Sequence, residues 1–383
     1  MQVPEFSQHF GELFGTRPQI FRAPGRVNLI GEHTDYNDGF VMPAAVGFST
    51  FVAIAARADR KLVIHSEQFS GSFEFELDHL PRQRTGNWCD YVLGVATVLH
   101  QQGHQFAGAN VLIHGEVPIG AGLSSSAAIE VGSALALLSL GDARVPLPEI
   151  ARLCRQAENN FVGARVGIMD QFVSCMGKAG HAILLDCRSL EPKFVPIPAN
   201  LRLVVCNTMV KHDLATGAYN TRRAECEEGV KYFAKHNPEI HALRDLSPEL
   251  LDQHAQAVPA TIWKRCCHVV RENQRTVDAA RALAHNDLAR VRELMRESHR
   301  SLRDLYEVSC RELDIMVEAA EDLPGFFGGR MTGGGFGGCT VNLVGQESAS
   351  EFAARVIERY QEATRITPQV YICAAENGAE VLS

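Results

Sequence analysis

Four ionisable side chains and a histidine fall within thirteen residues of the segment Gly25-Arg26-Val27-Asn28-Leu29-Ile30-Gly31-Glu32-His33-Thr34-Asp35-Tyr36-Asn37-Asp38-Gly39. Carboxylates, an imidazole, a guanidinium and backbone groups in one short stretch form the mixed donor and acceptor set that sugar hydroxyls require. A solvated surface loop is the competing account of such a composition. A second segment, Pro118-Ile119-Gly120-Ala121-Gly122-Leu123-Ser124-Ser125-Ser126-Ala127-Ala128, runs into an apolar stretch ending near Leu140. Its small residues let backbone approach a ligand, and the start of a helix there offers free amides and a positive dipole end to phosphate. An ordinary Ser-capped helix needs one serine rather than three, and capping leaves Gly120-Ala121-Gly122 unexplained. The segment is not a Walker A loop, because no Lys follows the glycines.

Two carboxylates outside these loops complete the reactive set. Glu158 follows the apolar stripe Ile150, Leu153, Cys154, Ala157 and is four residues from Cys154, which puts it on the inward face of a helix. A buried carboxylate there must be paired, hydrogen-bonded or bound to metal. Asp170 stands in Gly167-Ile168-Met169-Asp170-Gln171-Phe172, among apolar neighbours, with helix N-capping as its alternative role. The third glycine-rich run, Met331-Thr332-Gly333-Gly334-Gly335-Phe336-Gly337-Gly338-Cys339, matches GxGxxG. A dinucleotide site needs a strand before and a helix after that pattern, whereas Cys339–Val344 alternates like a strand. The run is expected to pack against the phosphate loop of another domain. His100 and His104 have helical spacing, but Gly103 ends that helix and no acidic or Cys partner is close, so a zinc site is not expected.

These residues must be positioned by a chain of 383 residues, 46% hydrophobic and 21% charged, which reads as soluble, globular and about two domains. A net charge of −8 offers no global attraction to nucleic acid or acidic membranes. The longest apolar stretch, Ala134–Leu140, is far short of the roughly 20 residues of a membrane span. Eleven scattered Cys without a CxxC pair, and an N-terminus MQVPEFSQHF without a secretory pattern, predict a reducing, cytoplasmic setting. Strands are predicted from Gln19 to Leu77, most clearly Ser72–Leu77, and helices at Tyr91–Gln102, Ser126–Leu140 and Leu147–Asn160. Strand-like runs at Ala182–Asp186 and Leu201–Cys206 flank Pro192, Pro196 and Pro198, where the domain boundary is placed, giving units 1–197 and 198–383. Thr216–Ala319 reads as helix, followed by strands at Cys339–Val344 and Gln369–Cys373 around a helix at Ala349–Ala363. Mixed elements without regular βα alternation predict an α+β fold.

Taken in this order, the three glycine- or charge-rich segments resemble the signature motifs of the GHMP kinases. The first, Gly25 to Tyr36, looks like the galactokinase signature itself. The likeness continues through Gly167-Ile168-Met169-Asp170-Gln171 and Tyr219-Asn220-Thr221-Arg222-Arg223 to Gly333–Gly338, spanning about Phe21 to Cys373. The resemblance implies two α+β domains with the active site in the cleft between them, and ATP-dependent phosphorylation of D-galactose at its anomeric hydroxyl. It further implies that Asp170 takes the hydroxyl proton beside the cation Arg26, and that Glu32, His33, Thr34, Asp35, Gly167 and Tyr219 contact the sugar. Gly120, Ala121, Gly122, Leu123, Ser124, Ser125 and Ser126 would wrap the triphosphate, with Ser126 and Glu158 holding Mg²⁺. Arg165-Val166 precedes Gly167 where the family pattern has a Cys just before the glycine. A kinase of N-acetylgalactosamine or arabinose, and a non-catalytic galactose and ATP sensor, share the signature. ATP and a sugar are thus the expected small-molecule partners of a monomer that binds neither nucleic acid nor membrane. Whether Asp170 is a true base or an orienting group stays open at this level.

Overall fold

The computed structural model describes residues 1–211 and 215–382. Helix α1 (Val3–Phe14) precedes β1 (Gln19–Asn28), β2 (Phe40–Val41), β3 (Pro43–Arg57), β4 (Lys61–Ser66) and β5 (Phe73–Glu76). Next come α2 (Asp90–Gln101), β6 (Gly108–Gly115), α3 (Ser125–Leu138), α4 (Leu147–Ala157), α5 (Met169–Met176), β7 (His181–Asp186) and β8 (Pro192–Pro196). Strands β1-β3-β6-β4-β5 form one sheet, antiparallel except for the β4–β6 pair. Its central strand β3 is buried on both faces because its alternating residues serve different layers. Val52 and Ile54 join the core beneath α2–α5, while Phe51, Ala53 and Ala55 pack on α1 through Phe6 and Phe10.

The remainder holds β9 (Leu201–Lys211), α6 (Ala215–Ala234), α7 (Pro248–Gln253), α8 (Ala260–Ala284), α9 (Leu288–Ser301), α10 (Arg311–Ala320), β10 (Phe326–Thr332), β11 (Gly337–Gly345), α11 (Ala349–Thr364), β12 (Gln369–Cys373) and β13 (Glu380–Val381). A second sheet has the order β10-β11-β9-β12, and a small third sheet the order β2-β7-β8. Strand β13 returns from the end of the chain to pair with β1. Val27, Leu29 and Ile30 share one apolar cluster with Leu203, Val205, Val341 and Ala279, so the core is continuous between the two larger sheets. Helices and sheets mix without βα alternation, and the fold is α+β as expected.

Three expectations need correction. The predicted helix Leu147–Asn160 is α-helical only to Ala157; residues Glu158–Val162 form a π turn, a distortion that often marks functional sites. Pro192–Pro196, within the Pro-rich stretch where the domain boundary is placed and no strand was expected, is strand β8, and it tolerates proline because it is the edge of its sheet. A strand does precede the third glycine run: β10 and β11 pair antiparallel from Thr332↔Cys339 outward, so the run is the turn of a hairpin. The dinucleotide reading still fails, since a strand and not a helix follows.

Candidate active site

Strand β1 is bent at a register shift between Pro24 and Arg26. A Cβ on Gly25 would lie 2.5 Å from the Leu123 carbonyl oxygen, so only glycine lets the loop before α3 lie against the strand. That contact is fixed by Arg26, whose amide donates to Leu123 O at 3.1 Å and whose Nη1 donates to Gly122 O at 2.6 Å. The rest of the guanidinium grips Asp170 at both oxygens, Nε to Oδ1 at 2.8 Å and Nη2 to Oδ2 at 2.9 Å. Such a planar two-point pair gives direction as well as charge. Asp170 occupies the first turn of α5, and its side chain makes no capping bond, which removes N-capping as its role.

Ser124 was expected to touch phosphate or cap α3. It adopts a left-handed conformation (φ 60°), and its hydroxyl donates to Asp170 Oδ2 at 2.5 Å. The N-terminus of α3 therefore carries no side-chain cap, and its first amides stay available to an anion. Ser125 and Ser126 line an apolar slot there with Phe69, Trp88, Tyr91, Ile119 and Ile129. The Phe69 and Trp88 rings stack at 5.7 Å and 19°. Sequence reading missed this slot because its aromatics come from separate segments; Trp88, one of two tryptophans in the chain, was the available signal.

On the other side of Asp170 a cavity of about 280 Å³ is lined by Arg26, Glu32, His33, Asp35, Gly167, Tyr219 and Gly333–Phe336. Glu32 accepts at Oε1 from the Gly333 amide at 2.7 Å and Thr332 Oγ1 at 3.2 Å and forms an ion pair there with Arg330 Nη2 at 3.4 Å, and none of these contacts uses Oε2. The third glycine run thus closes on the first motif. It also touches the phosphate loop, since a Cβ on Gly333 would stand 3.5 Å from Gly122 O. His33 Nδ1 meets the Tyr36 hydroxyl at 2.7 Å, and that hydroxyl meets Tyr306 at 2.8 Å. Burial, with His268 nearby, pushes His33 down to about 3, so it is neutral at physiological pH. Asp35 is pushed up to about 7, chiefly by burial and then by the charge of Asp170.

Gly167 is where Asp35 needs room: a Cβ there would sit 1.8 Å from Asp35 Oδ2. Val166, in the place where the family pattern differs, donates its amide to Asn159 Oδ1 at 2.8 Å, which ties the loop to the π turn. Thr34 is the expected sugar ligand that the structure sets apart. It is fully buried, its Oγ1 donates to Gly31 O and Phe40 O, and it does not line the cavity. Its hydroxyl closes the turn that aims Glu32, His33 and Asp35.

Glu158 is buried at the start of the π turn, and its carboxyl is pushed up to about 7 by burial first and Asp170 second, with the Ser126 hydroxyl beside it opposing the shift. Gln171 Nε2 donates to Glu158 Oε2 at 2.6 Å. One buried carboxylate beside one hydroxyl, next to free helix amides, is an oxygen donor set suited to Mg²⁺, which takes few protein ligands and completes its shell with phosphate and water.

The chain matches a family model for the galactokinase galactose-binding signature at residues 8–56. It also matches models for the GHMP kinases N terminal domain at 90–178 and the GHMP kinases C terminal at 279–362. It is 46% identical to a galactokinase of Chloroflexus aggregans over 96% of this chain and 95% of that one. It is 43% identical to a galactokinase of Roseiflexus over 99% and 97%. The crystal structure of Lactococcus lactis galactokinase complexed with galactose superposes with a TM-score of 0.95 at 36% identity, covering 99% of this chain and all of that one. Methanococcus jannaschii mevalonate kinase shares the fold at a TM-score of 0.66 and 18% identity, covering 95% of this chain and 100% of its own. With the fold, the paired cavities and these likenesses together, the chain belongs to the galactokinase family of the GHMP kinases.

Proposed function

We propose that this chain transfers the terminal phosphoryl group of ATP to the anomeric hydroxyl of D-galactose, yielding α-D-galactose 1-phosphate and ADP. The observation that carries the reading is the contact of the Arg26–Asp170 pair with Ser124 and Gly122 of the phosphate loop. This joins a polar cavity of sugar-like chemistry to an apolar slot suited to a purine. Adenine stacks in the slot at Trp88 and Phe69, the phosphates lie over the N-terminus of α3, and galactose occupies the cavity walled by Glu32, His33, Asp35, Gly167 and Tyr219. Asp170 accepts the proton of the anomeric hydroxyl as its oxygen attacks phosphorus, while Arg26 orients that carboxylate and faces the charge that builds on the transferred group. Asp35, close to half protonated near neutrality, both donates to and accepts from sugar hydroxyls. Ser126 and Glu158 would hold Mg²⁺, which supplies charge neutralisation on the phosphates.

Every residue of this site comes from one chain, so a monomer suffices. The eleven cysteines are unpaired and ten are buried, which supports a reducing, cytoplasmic location. Among the described residues no helix is long and apolar enough to cross a membrane. The test is ADP release over galactose, glucose, N-acetylgalactosamine, arabinose and talose, with phosphorus NMR of the product. Galactose phosphorylated on the anomeric oxygen, with glucose almost inert, is the expected result. Faster turnover of N-acetylgalactosamine, or none with any sugar, overturns it.

A further inference from the structure

Behind Glu158 lies a buried polar pair that the chemistry described above does not use. Glu130 is on α3, four residues after Ser126 and therefore on the same face of that helix. Gln171 is on α5, immediately after Asp170. Both are 0% exposed. The Gln171 amide nitrogen spans the two carboxyl groups, donating to Glu158 Oε2 at 2.6 Å and to Glu130 Oε2 at 3.1 Å.

Packing gives no reason for a carboxyl group at position 130. Val131 and Ala134 on its own helix and Cys154 on α4, which lies close enough to feel its charge, belong to the main apolar core. Burial, and then the charge of Glu158, pushes the Glu130 carboxyl well above the usual range. Neither Glu130 Oε1 nor Gln171 Oε1 has a hydrogen-bond partner among the described residues. Leaving such atoms dry costs free energy, and an apolar side chain of similar volume would be cheaper. What the pair does accomplish is geometric: Gln171 on α5, backed by Glu130 on α3, fastens one oxygen of Glu158 at the start of the π turn.

We propose that Glu130, acting through Gln171, is a positioning residue for Glu158. It fixes that carboxylate so that its other oxygen faces Ser126 and a divalent cation bound with the nucleotide phosphates. The inference rests on Ser126 and Glu158 being the metal pair. Outer groups that orient a metal ligand typically change metal affinity about 10–100-fold when removed.

The test titrates Mg²⁺ against ADP and follows binding by the fluorescence of Trp88, which lines the nucleotide slot. Glu130→Leu is expected to bind ADP without metal as the native protein does, and to need about 10–100-fold more Mg²⁺ for the metal to strengthen binding. Glu130→Gln, which keeps an acceptor for Gln171, is expected to restore most of the response. Gln171→Leu breaks the same link from the other side and reads the same quantity should Glu130→Leu fail to fold. A native Mg²⁺ response in both leucine variants overturns the proposal. So does an equal loss of metal-free ADP binding, which marks a merely structural role, or a Glu130→Gln protein as impaired as Glu130→Leu. The titration contains no sugar, so a native protein inactive on galactose would overturn the proposed reaction while leaving this link to be decided by its own readout.

Discussion

Gly167→Ala adds a single methyl group, and the structure says where it must go. The ideal Cβ would stand 1.8 Å from Asp35 Oδ2, 2.2 Å from its Cγ and 2.9 Å from its Cβ. Restoring about 3.5 Å between the new carbon and Cγ moves the carboxylate by roughly 1.3 Å. Asp35 cannot yield by sliding its backbone, because the turn that carries it is tied by Asn37 N and Gly39 N to Thr34 O at 3.0 and 2.8 Å, and by Asn37 Nδ2 to His33 O at 2.9 Å. The displaced carboxylate is pushed into the cavity where the sugar belongs. A misplacement of about 1 Å at a reacting site costs on the order of 10²-fold, so kcat/KM for galactose should fall by about that factor. Overpacking should also cost about 1–3 kcal/mol of stability. Steady-state kinetics on galactose, a melting curve, and ADP binding followed by Trp88 fluorescence separate these effects, since the nucleotide slot is not touched. A Gly167→Ala enzyme with native kcat/KM would refute the reasoning, because it would mean that Asp35 does not need the place it occupies.

Asp170→Asn and Arg26→Ala should each lower kcat by about 10²–10⁴-fold with circular dichroism unchanged; near-native turnover in Asp170→Asn would take it out of the proton-transfer role. Asp35 has its ordinary value of 3.8 raised to about 7, chiefly by burial, so the folded protein keeps a proton that the unfolded chain releases. The folded state therefore loses stability at this residue as pH rises from about 4 to 7. The melting temperature of Asp35→Asn relative to the native protein should accordingly climb across that window and level off above it, and a pH-independent difference would contradict the burial argument. Glu158→Gln should raise the Mg²⁺ concentration for half-maximal rate, and an unchanged titration would make Glu158 an internally paired structural group.

The sequence by itself determined the chemistry-bearing segments and most of the elements that hold them. Alternation in Cys339–Val344 and the apolar stripe of α4 are local signals, carried by residues that contact their own neighbours. The three glycine-rich runs were legible for the same reason, since backbone that must approach closely can use few residue types. Only the tertiary structure decided what those segments do to one another. Ser124, expected in the phosphate loop, also bonds Asp170, 46 residues away. Thr34 was expected on sugar and instead closes its own turn. Strand β8 was hidden by its prolines and β10 by its glycines, because edge pairing and hairpin closure depend on partner strands and not on propensity. Glu130 and Gln171 carry no spacing signal at all. A buried carboxyl and an amide 41 residues apart become partners only when α3 and α5 converge, and local sequence does not encode that convergence.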